Sequence, residues 1–252
     1  DVFDNRLKFR SFDVSTKVVV TATVTLYRDD PIYQAQNGTQ SVRLDNPGTV
    51  ALFGRDSISA GTLAVQVGRD ARFSGSVSTT GDMTVTAGRD YALAAGMLSA
   101  VQQVGGDLAV VAGRNVQVDR NAVLDTVGDA RITAGAGVQV LGGVAVRGDL
   151  LVRAADDVLA SMQRYKVGDT WLNTAQNLTI EAGTDGRGTL SGDSYTTVYA
   201  SDVTLRAGAA QGDVRLDSAT VKAQRTLTVQ AAGGHVYAQG LALQADHMVL
   251  SA

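Results

Sequence analysis

The sequence predicts an all-β solenoid: a right-handed parallel β-helix with about 20 residues per coil and three short strands in each coil. Three observations carry this prediction. Paired turn signals, mostly Gly-Asp and then Gly-Arg-Asp, begin at Gly61 and Gly68, Gly81 and Gly88, Gly106 and Gly113, Gly128 and Gly135, Gly148 and Ala155, and Gly168 and Ala175. The spacing within each pair is always seven residues, whereas the full period runs 20, 25, 22, 20 and 20. One rigid segment joined to one that absorbs insertions marks stacked supersecondary units. The residues after each signal alternate with a period of two, which is the period of a strand. Finally, the chain is 44% hydrophobic but only 5% aromatic, so its interior is built from Val, Leu, Ile and Ala, which stack in flat coils.

Residues 1–47 do not fit the repeat and read as an irregular, strand-rich entry or capping segment. Within them Lys17–Tyr27 is a β-branched alternating run, and residues 28–38 form a loop broken by Asp29, Asp30, Pro31, Asn37 and Gly38. The β-helix repeats occupy 48–252. In each coil a first strand follows the first signal, as with Met83 and Val85, Leu108 and Val110, Ala130 and Ile132, and Leu150 and Val152. A second strand follows the second signal, as with Ala71 and Phe73, Tyr91 and Leu93, Val116 and Val118, Val138 and Val140, and Leu178 and Ile180. A weaker third strand fits near Val77, Met97–Val101, Val123, Val144–Val146 and Val167. Both prolines, Pro31 and Pro47, precede the regular coils, where a missing N–H would break a ladder paired on both sides. The Gly-, Asp-, Ser- and Thr-rich stretch near 183–200 predicts a loop excursion from the coil.

The formal net charge is −3 with both signs interspersed, so no basic stripe points to nucleic acid. No apolar run is long enough to insert in a membrane, and without cysteine there are neither disulfides nor thiolate metal sites. Neither a cofactor nor a metal is expected. His235 and His247 are the only histidines, with no nucleophile signature beside them. Acids recur once per coil rather than converging, so the reading is a non-enzyme, with a β-helical polysaccharide lyase or hydrolase as the rival.

Two columns of acids and amides follow from the repeat. Asp82, Asp107, Asp129, Asp149 and Asp169 would stack at about 5 Å, each neighbour costing about 1 kcal/mol in a water-like dielectric. Hydrogen bonds from backbone N–H groups, helped by arginines such as Arg131 and Arg153, are expected to relieve this. The second column runs Asp56, Asp70, Asp90, Asn115, Gly137, Asp157 and Asn177. Its Asp70, Asp90, Asn115, Asp157 and Asn177 form a structural ladder to the next coil's backbone. Arg69, Arg89 and Arg114 beside it read as a solvated ion-pair column.

Arg147-Gly148-Asp149 spells an integrin-type tripeptide, although it falls on a regular Gly-Asp anchor. Trp171, at an expected outward strand position, with Tyr165, Tyr195 and Tyr199, is the candidate ligand-binding patch for a sugar ring or a protein.

AGTLAVQVGRDARF, GDMTVTAGRDYAL, GDLAVVAGRNVQV and NLTIEAG, within 48–252, resemble the repeat region of filamentous haemagglutinin-type exoproteins. These are large surface proteins of Gram-negative bacteria exported by two-partner secretion. The family's secretion domain carries Asn-Pro-Asn-Gly motifs. Here only Asn46-Pro47-Gly48 is present, which points to the central repeat region. The resemblance implies a secreted, cell-surface stalk in an adhesin or in a contact-dependent growth-inhibition filament. Its implied partners are an outer-membrane transporter for export and a host-cell receptor or glycan.

Overall fold

The computed structural model describes residues 18–21, 41–52, 57–94, 100–167, 169–208 and 210–252, with the side chains of 18–21, 41, 42 and 171 excepted. Most of the entry segment, and with it Asp56, Met97 and Gly168, lies outside the described residues.

The chain is a parallel β-solenoid of about 9 turns with about 22 residues per turn. Three sheets run along it. The first has 12 strands, the second 9 and the third 6, and strands equivalent in successive coils are hydrogen-bonded neighbours. The two-residue alternation dictates this arrangement, because every second side chain must leave water. Leu63, Met83, Leu108, Ala130, Leu150, Leu178, Val203 and Leu227 form one continuous interior column on the first sheet. All eight are buried. At about 1.5–3 kcal/mol for each fully buried large aliphatic side chain, such columns are the main driving force for coil stacking. The residues between them, such as Thr84, Arg131 and Arg153, face outward.

Stacking begins earlier than the repeat signals indicate. Ser41–Asn46 already forms a rung in register with Thr62–Val67, and Val18–Thr21 pairs in parallel with Val42–Asp45. The signal is lost there because Pro47-Gly48-Thr49 stands where Gly68-Arg69-Asp70 stands one coil later; Asn46 Oδ1 accepts the Gly48 N–H at 2.7 Å.

Two expectations are corrected. The stretch near 183–200 leaves the coil only at 183–189, where seven residues separate Ala182 from Leu190 against three between Ala154 and Val158. Leu190–Gly192 is a rung of the second sheet, and Thr197–Ala207 runs through a third-sheet position straight into the first sheet. Its polar residues occupy turns, where Gly183 has a φ of 68° and Gly186 a φ of 135°, while Leu190, Val198 and Ala200 stay buried. The larger excursion lies one coil earlier. Leu150 pairs with Leu178, a longer step along the chain than the one from Ala130 to its partner Leu150. The additional length leaves as a hairpin in which Lys166 and Val167 pair antiparallel with Trp171 and Thr170. The chain then returns to the stack at buried Thr174, which accepts the Val146 N–H and donates its own N–H to Tyr199, each at 2.9 Å.

The hairpin therefore shifts the assignments that follow it. Asp169 is not the partner of Asp149; Asn177 is, and Asn177–Ala182 is a first-sheet strand rather than a second-sheet one. The even spacing of Gly128, Gly148 and Gly168 in the sequence imitates the period by coincidence.

One polar pair is enclosed in the interior. Tyr91 donates its hydroxyl to Gln102 Oε1 at 2.7 Å, and burial raises the Tyr91 pKa. The Gln102 amide nitrogen has no partner. Tyr91→Phe is expected to leave Gln102 Oε1 without its donor and to lower stability by about 1–3 kcal/mol. Thermal unfolding of the variant measures this, and an unchanged midpoint would remove the pair from the stabilising interactions.

Candidate functional site

The Gly-Asp signal is explained at the corner between the third and first sheets. Asp82 Oδ1 accepts the backbone N–H of Asp107, Asp107 Oδ1 that of Asp129, and Asp129 Oδ1 that of Asp149, each at 2.9 Å. The glycine makes room for the carboxylate of the preceding coil. A β-carbon at Gly106 would lie 2.2 Å from Asp82 Oδ1, one at Gly128 2.1 Å from Asp107 Oδ1, and one at Gly148 2.2 Å from Asp129 Oδ1. Where Gln176 takes the glycine's place, the Asn177 N–H to Asp149 Oδ1 distance lengthens to 3.2 Å, and the Asn177 side-chain amide adds a second donor at 2.7 Å. Charge-assisted bonds of this kind offset the repulsion along the column. Of the arginines expected to help, Arg153 turns away from the column and donates to Glu181 at 2.7 Å. Asp169 lies on the hairpin, fully exposed, 3.5 Å from Lys166 Nζ, and is not a member of the column.

The second corner carries the other ladder. Asp90 Oδ1 accepts the Asn115 N–H at 3.2 Å, Asn115 Oδ1 the Gly137 N–H at 3.2 Å, and Asp157 Oδ1 the Thr189 N–H at 2.7 Å. Asn177, expected in this ladder, belongs to the first column instead, because the hairpin moved it by one strand. Arg89 donates to Asp70 Oδ1 at 2.7 Å and also to its Oδ2, while Arg114 donates to both oxygens of Asp90, so each arginine reaches back one coil. Asp70 is buried. The hydrogen bond from Arg89 holds the Asp70 carboxyl below its ordinary range, and that from Arg114 does the same for Asp90.

Arg147-Gly148-Asp149 is built into the stack. Arg147 Nη1 donates to the buried Asp125 carboxylate at 2.7 Å, Gly148 donates its N–H to Gly128, and Asp149 receives Asn177. The tripeptide does not protrude as a loop.

Tyr165 and Tyr199 lie beside the hairpin, through Leu172 and Arg164, and Tyr195 lies apart on its own turn. Tyr165 lies across the outer face of the third sheet, where a β-carbon at Gly143 would touch its ring at 3.5 Å. Tyr199 stands between two cations of the neighbouring coils, with Arg164 4.1 Å from its ring centroid and Lys222 5.2 Å. The Tyr195 ring, on a turn pinned by Asp193 and Thr196, is covered by Arg120 at 3.9 Å. Trp171 is on the second strand of the hairpin rather than on the first sheet, and its side chain lies outside the described residues. The cations Arg120, Arg164 and Lys222 escaped the sequence reading. They come from three different coils, and only the stacking of the coils brings them to these rings.

His235 is solvent-exposed; its backbone N–H donates to Asp213 at 3.0 Å, and its ring lies 5.6 Å from that of Tyr237. No group of three or more His, Cys, Asp or Glu side chains among the described residues is arranged to hold a metal ion. No described helix is long and apolar enough to cross a membrane. The sequence matches no family model, no curated protein and no solved structure.

Two outcomes follow for these corners. Gly106→Ala is expected to cost about 1–3 kcal/mol, because the new methyl displaces the Asp82 carboxylate. Gly137→Ala, whose β-carbon would sit 3.5 Å from its nearest neighbours, is expected to be close to neutral. Paired thermal melts decide this, and equal losses would refute the clearance argument. For Asp70 and Asp90, a lowered folded-state pKa means stability that is present above the unfolded value of about 3.9 and is lost as pH falls through the folded one. The wild-type melting midpoint should hold from pH 7 to about 5 and then drop. In Arg89→Gln the midpoint is lower at pH 7, and the difference from wild type narrows below pH 3. A constant difference would show that the pair does not couple to protonation.

Proposed function

We propose that this chain is a structural stalk segment of a secreted, surface-exposed bacterial filament that mediates adhesion to host cells. The observation that carries this reading is the recurring register of side-chain-to-backbone bonds along two corners. It ties coil to coil and makes a rod of roughly 43 Å from nine coils at about 4.8 Å each. In such a stack each repeat contacts only its neighbours, so length is added without changing the cross-section.

The acids speak against the lyase or hydrolase alternative. In the two corner columns each described carboxylate is engaged with the next coil's backbone or with an arginine, rather than directed into a common groove. The resemblance of the Gly-Asp and Gly-Arg-Asp coils to haemagglutinin-type repeats supplies the cellular setting. In that setting the chain is exported through an outer-membrane transporter to the surface of a Gram-negative bacterium.

Fab fragments raised against the purified chain test this on intact cells of the source bacterium. Labelling without permeabilisation, together with fewer bacteria attached to host monolayers, is expected. Labelling that needs permeabilisation would overturn the surface assignment, and labelling with undiminished attachment would overturn adhesion.

A further inference from the structure

Cohesion along a solenoid is a sum of nearest-neighbour terms, so the plane between coils at which those terms are smallest opens first. Between the coil of residues 108–126 and that of residues 130–146, the three sheets contribute five, three and four registered residue pairs. Between the coil of residues 177–200 and that of residues 202–223 they contribute six, three and four. Between the coil of residues 150–164 and that of residues 177–200, the first sheet contributes four and the second two. The third sheet's regular ladder stops there at Gln163–Arg164, because the hairpin cuts this rung after Arg164. Among the described residues the gap is bridged by the Thr197 N–H to the Met162 carbonyl at 2.8 Å and the Thr174 N–H to the Tyr199 carbonyl at 2.9 Å. Thr174 Oγ1 also accepts the Tyr199 N–H at 3.2 Å.

The interior and one corner are loosened at the same plane. Ala160 and Gly192 take the inward positions that Val140 and Leu216 fill in the adjacent coils. A small void lined by Ala160, Ile180, Gly192, Val198 and Leu216 lies where these side chains fall short, and its walls lose dispersion contacts. At the corner between the third and first sheets, the bond across this plane is the long one, Asn177 N–H to Asp149 Oδ1 at 3.2 Å, against 2.9 Å in the coils before. The opposite side is better joined. There Leu150–Arg153 faces Leu178–Glu181, and Asp157 Oδ1 accepts the Thr189 N–H at 2.7 Å. The third-sheet side is thus the loose one, and the first sheet with its neighbouring corner forms a hinge line.

Two cation–π contacts cross the plane on its loose side. Arg164 lies 4.1 Å from the Tyr199 ring centroid, and Arg120 lies 3.9 Å from that of Tyr195. Arg120 belongs to a coil two before the plane, and turn lengths explain its reach. The turns at 119–122 and 193–196 have four residues each, whereas those of the two coils between, 141–142 and 161–162, have two. The long turns stand proud of the short ones and meet above them. We propose that this plane is a latched joint: it opens on its third-sheet side about the first sheet, and the Arg120–Tyr195 and Arg164–Tyr199 contacts hold it shut. The rod then yields at one place while the coils on either side keep their ladders. This goes beyond the stalk reading and stands whether or not the chain works at a cell surface.

Residue-resolved hydrogen exchange on the purified full chain tests this. The amides of Thr174, Thr197 and Tyr199, which bond across the plane, are expected to exchange about tenfold or more faster than those of Gly143 and Thr220, which bond across flanking planes to Ala122 and Thr196. Tyr195→Ala and Arg120→Ala should each speed exchange at Thr197 and Tyr199 by about two- to fivefold, the worth of an exposed cation–π contact, and leave Thr220 unchanged. Arg120 is remote in sequence from these amides, so its effect can reach them only through the latch. Tyr237→Ala removes a ring that also lies beside an arginine, Arg215, but not across this plane, and should change neither amide. Equal protection of Thr197, Tyr199 and Thr220 in the wild type would overturn the joint. No response to Arg120→Ala would overturn the latch, as would Thr220 accelerating together with Thr197 in Tyr195→Ala, which would mark a loosened turn instead.

Discussion

The contact on which the rest of this structure depends is a hydrogen bond from a backbone N–H to an aspartate of the preceding coil, made beside a glycine. The hydrophobic columns supply more free energy, but they are tolerant: Leu, Met, Ala and Val follow one another in the same column without changing the pairing. The corner is less permissive. With a β-carbon at Gly106 the carboxylate of Asp82 has no space, and without the carboxylate the N–H of Asp107 loses its acceptor. The glycine and the aspartate are thus one device distributed over two coils, and its repetition fixes register in a parallel stack where interior packing alone would permit slippage.

Departures from that device are where the molecule becomes individual. Gln176-Asn177 substitutes an amide for the acid and accepts a longer backbone bond, and it does so immediately after the hairpin. The following coils merge a third-sheet rung with a first-sheet rung into single strands of 11 and 12 residues, with an irregularity between. Charge follows the same boundary. On one side the corner is a row of carboxylates bound to N–H groups; on the other, arginine and lysine come forward around tyrosine. The result is a regular rod with one region of distinct surface chemistry.

The ion pairs of the second corner add to this economy. Asp70 is buried and would be costly alone, but Arg89 reaches back from the next coil to pair with it, and Arg114 does the same for Asp90. Arg89 and Arg114 therefore bind the acid of the coil before, so these turns act across coils as the Gly-Asp pair does. Each carboxylate is held ionised, which makes the stack's cohesion sensitive to acid rather than to base.

The sequence by itself determined the solenoid, the number of sheets and the inward residues of most coils, because a short period of two nested inside a long coil period has few other physical solutions. It also located the two corner columns, since Asp and Asn recur at fixed distances from glycine. It did not determine which coil holds the insertion. Gly168-Asp169 follows Gly148-Asp149 at the regular period and looks like another rung, but Leu178 and Ile180 carry the apolar side chains that the interior column requires, and burial outweighs the motif. Only the tertiary structure therefore placed Asn177 under Asp149, moved Trp171 onto a hairpin, and set Arg164 and Lys222 on either side of Tyr199. Contacts between coils depend on how many residues leave the stack between them, and local sequence does not encode that number.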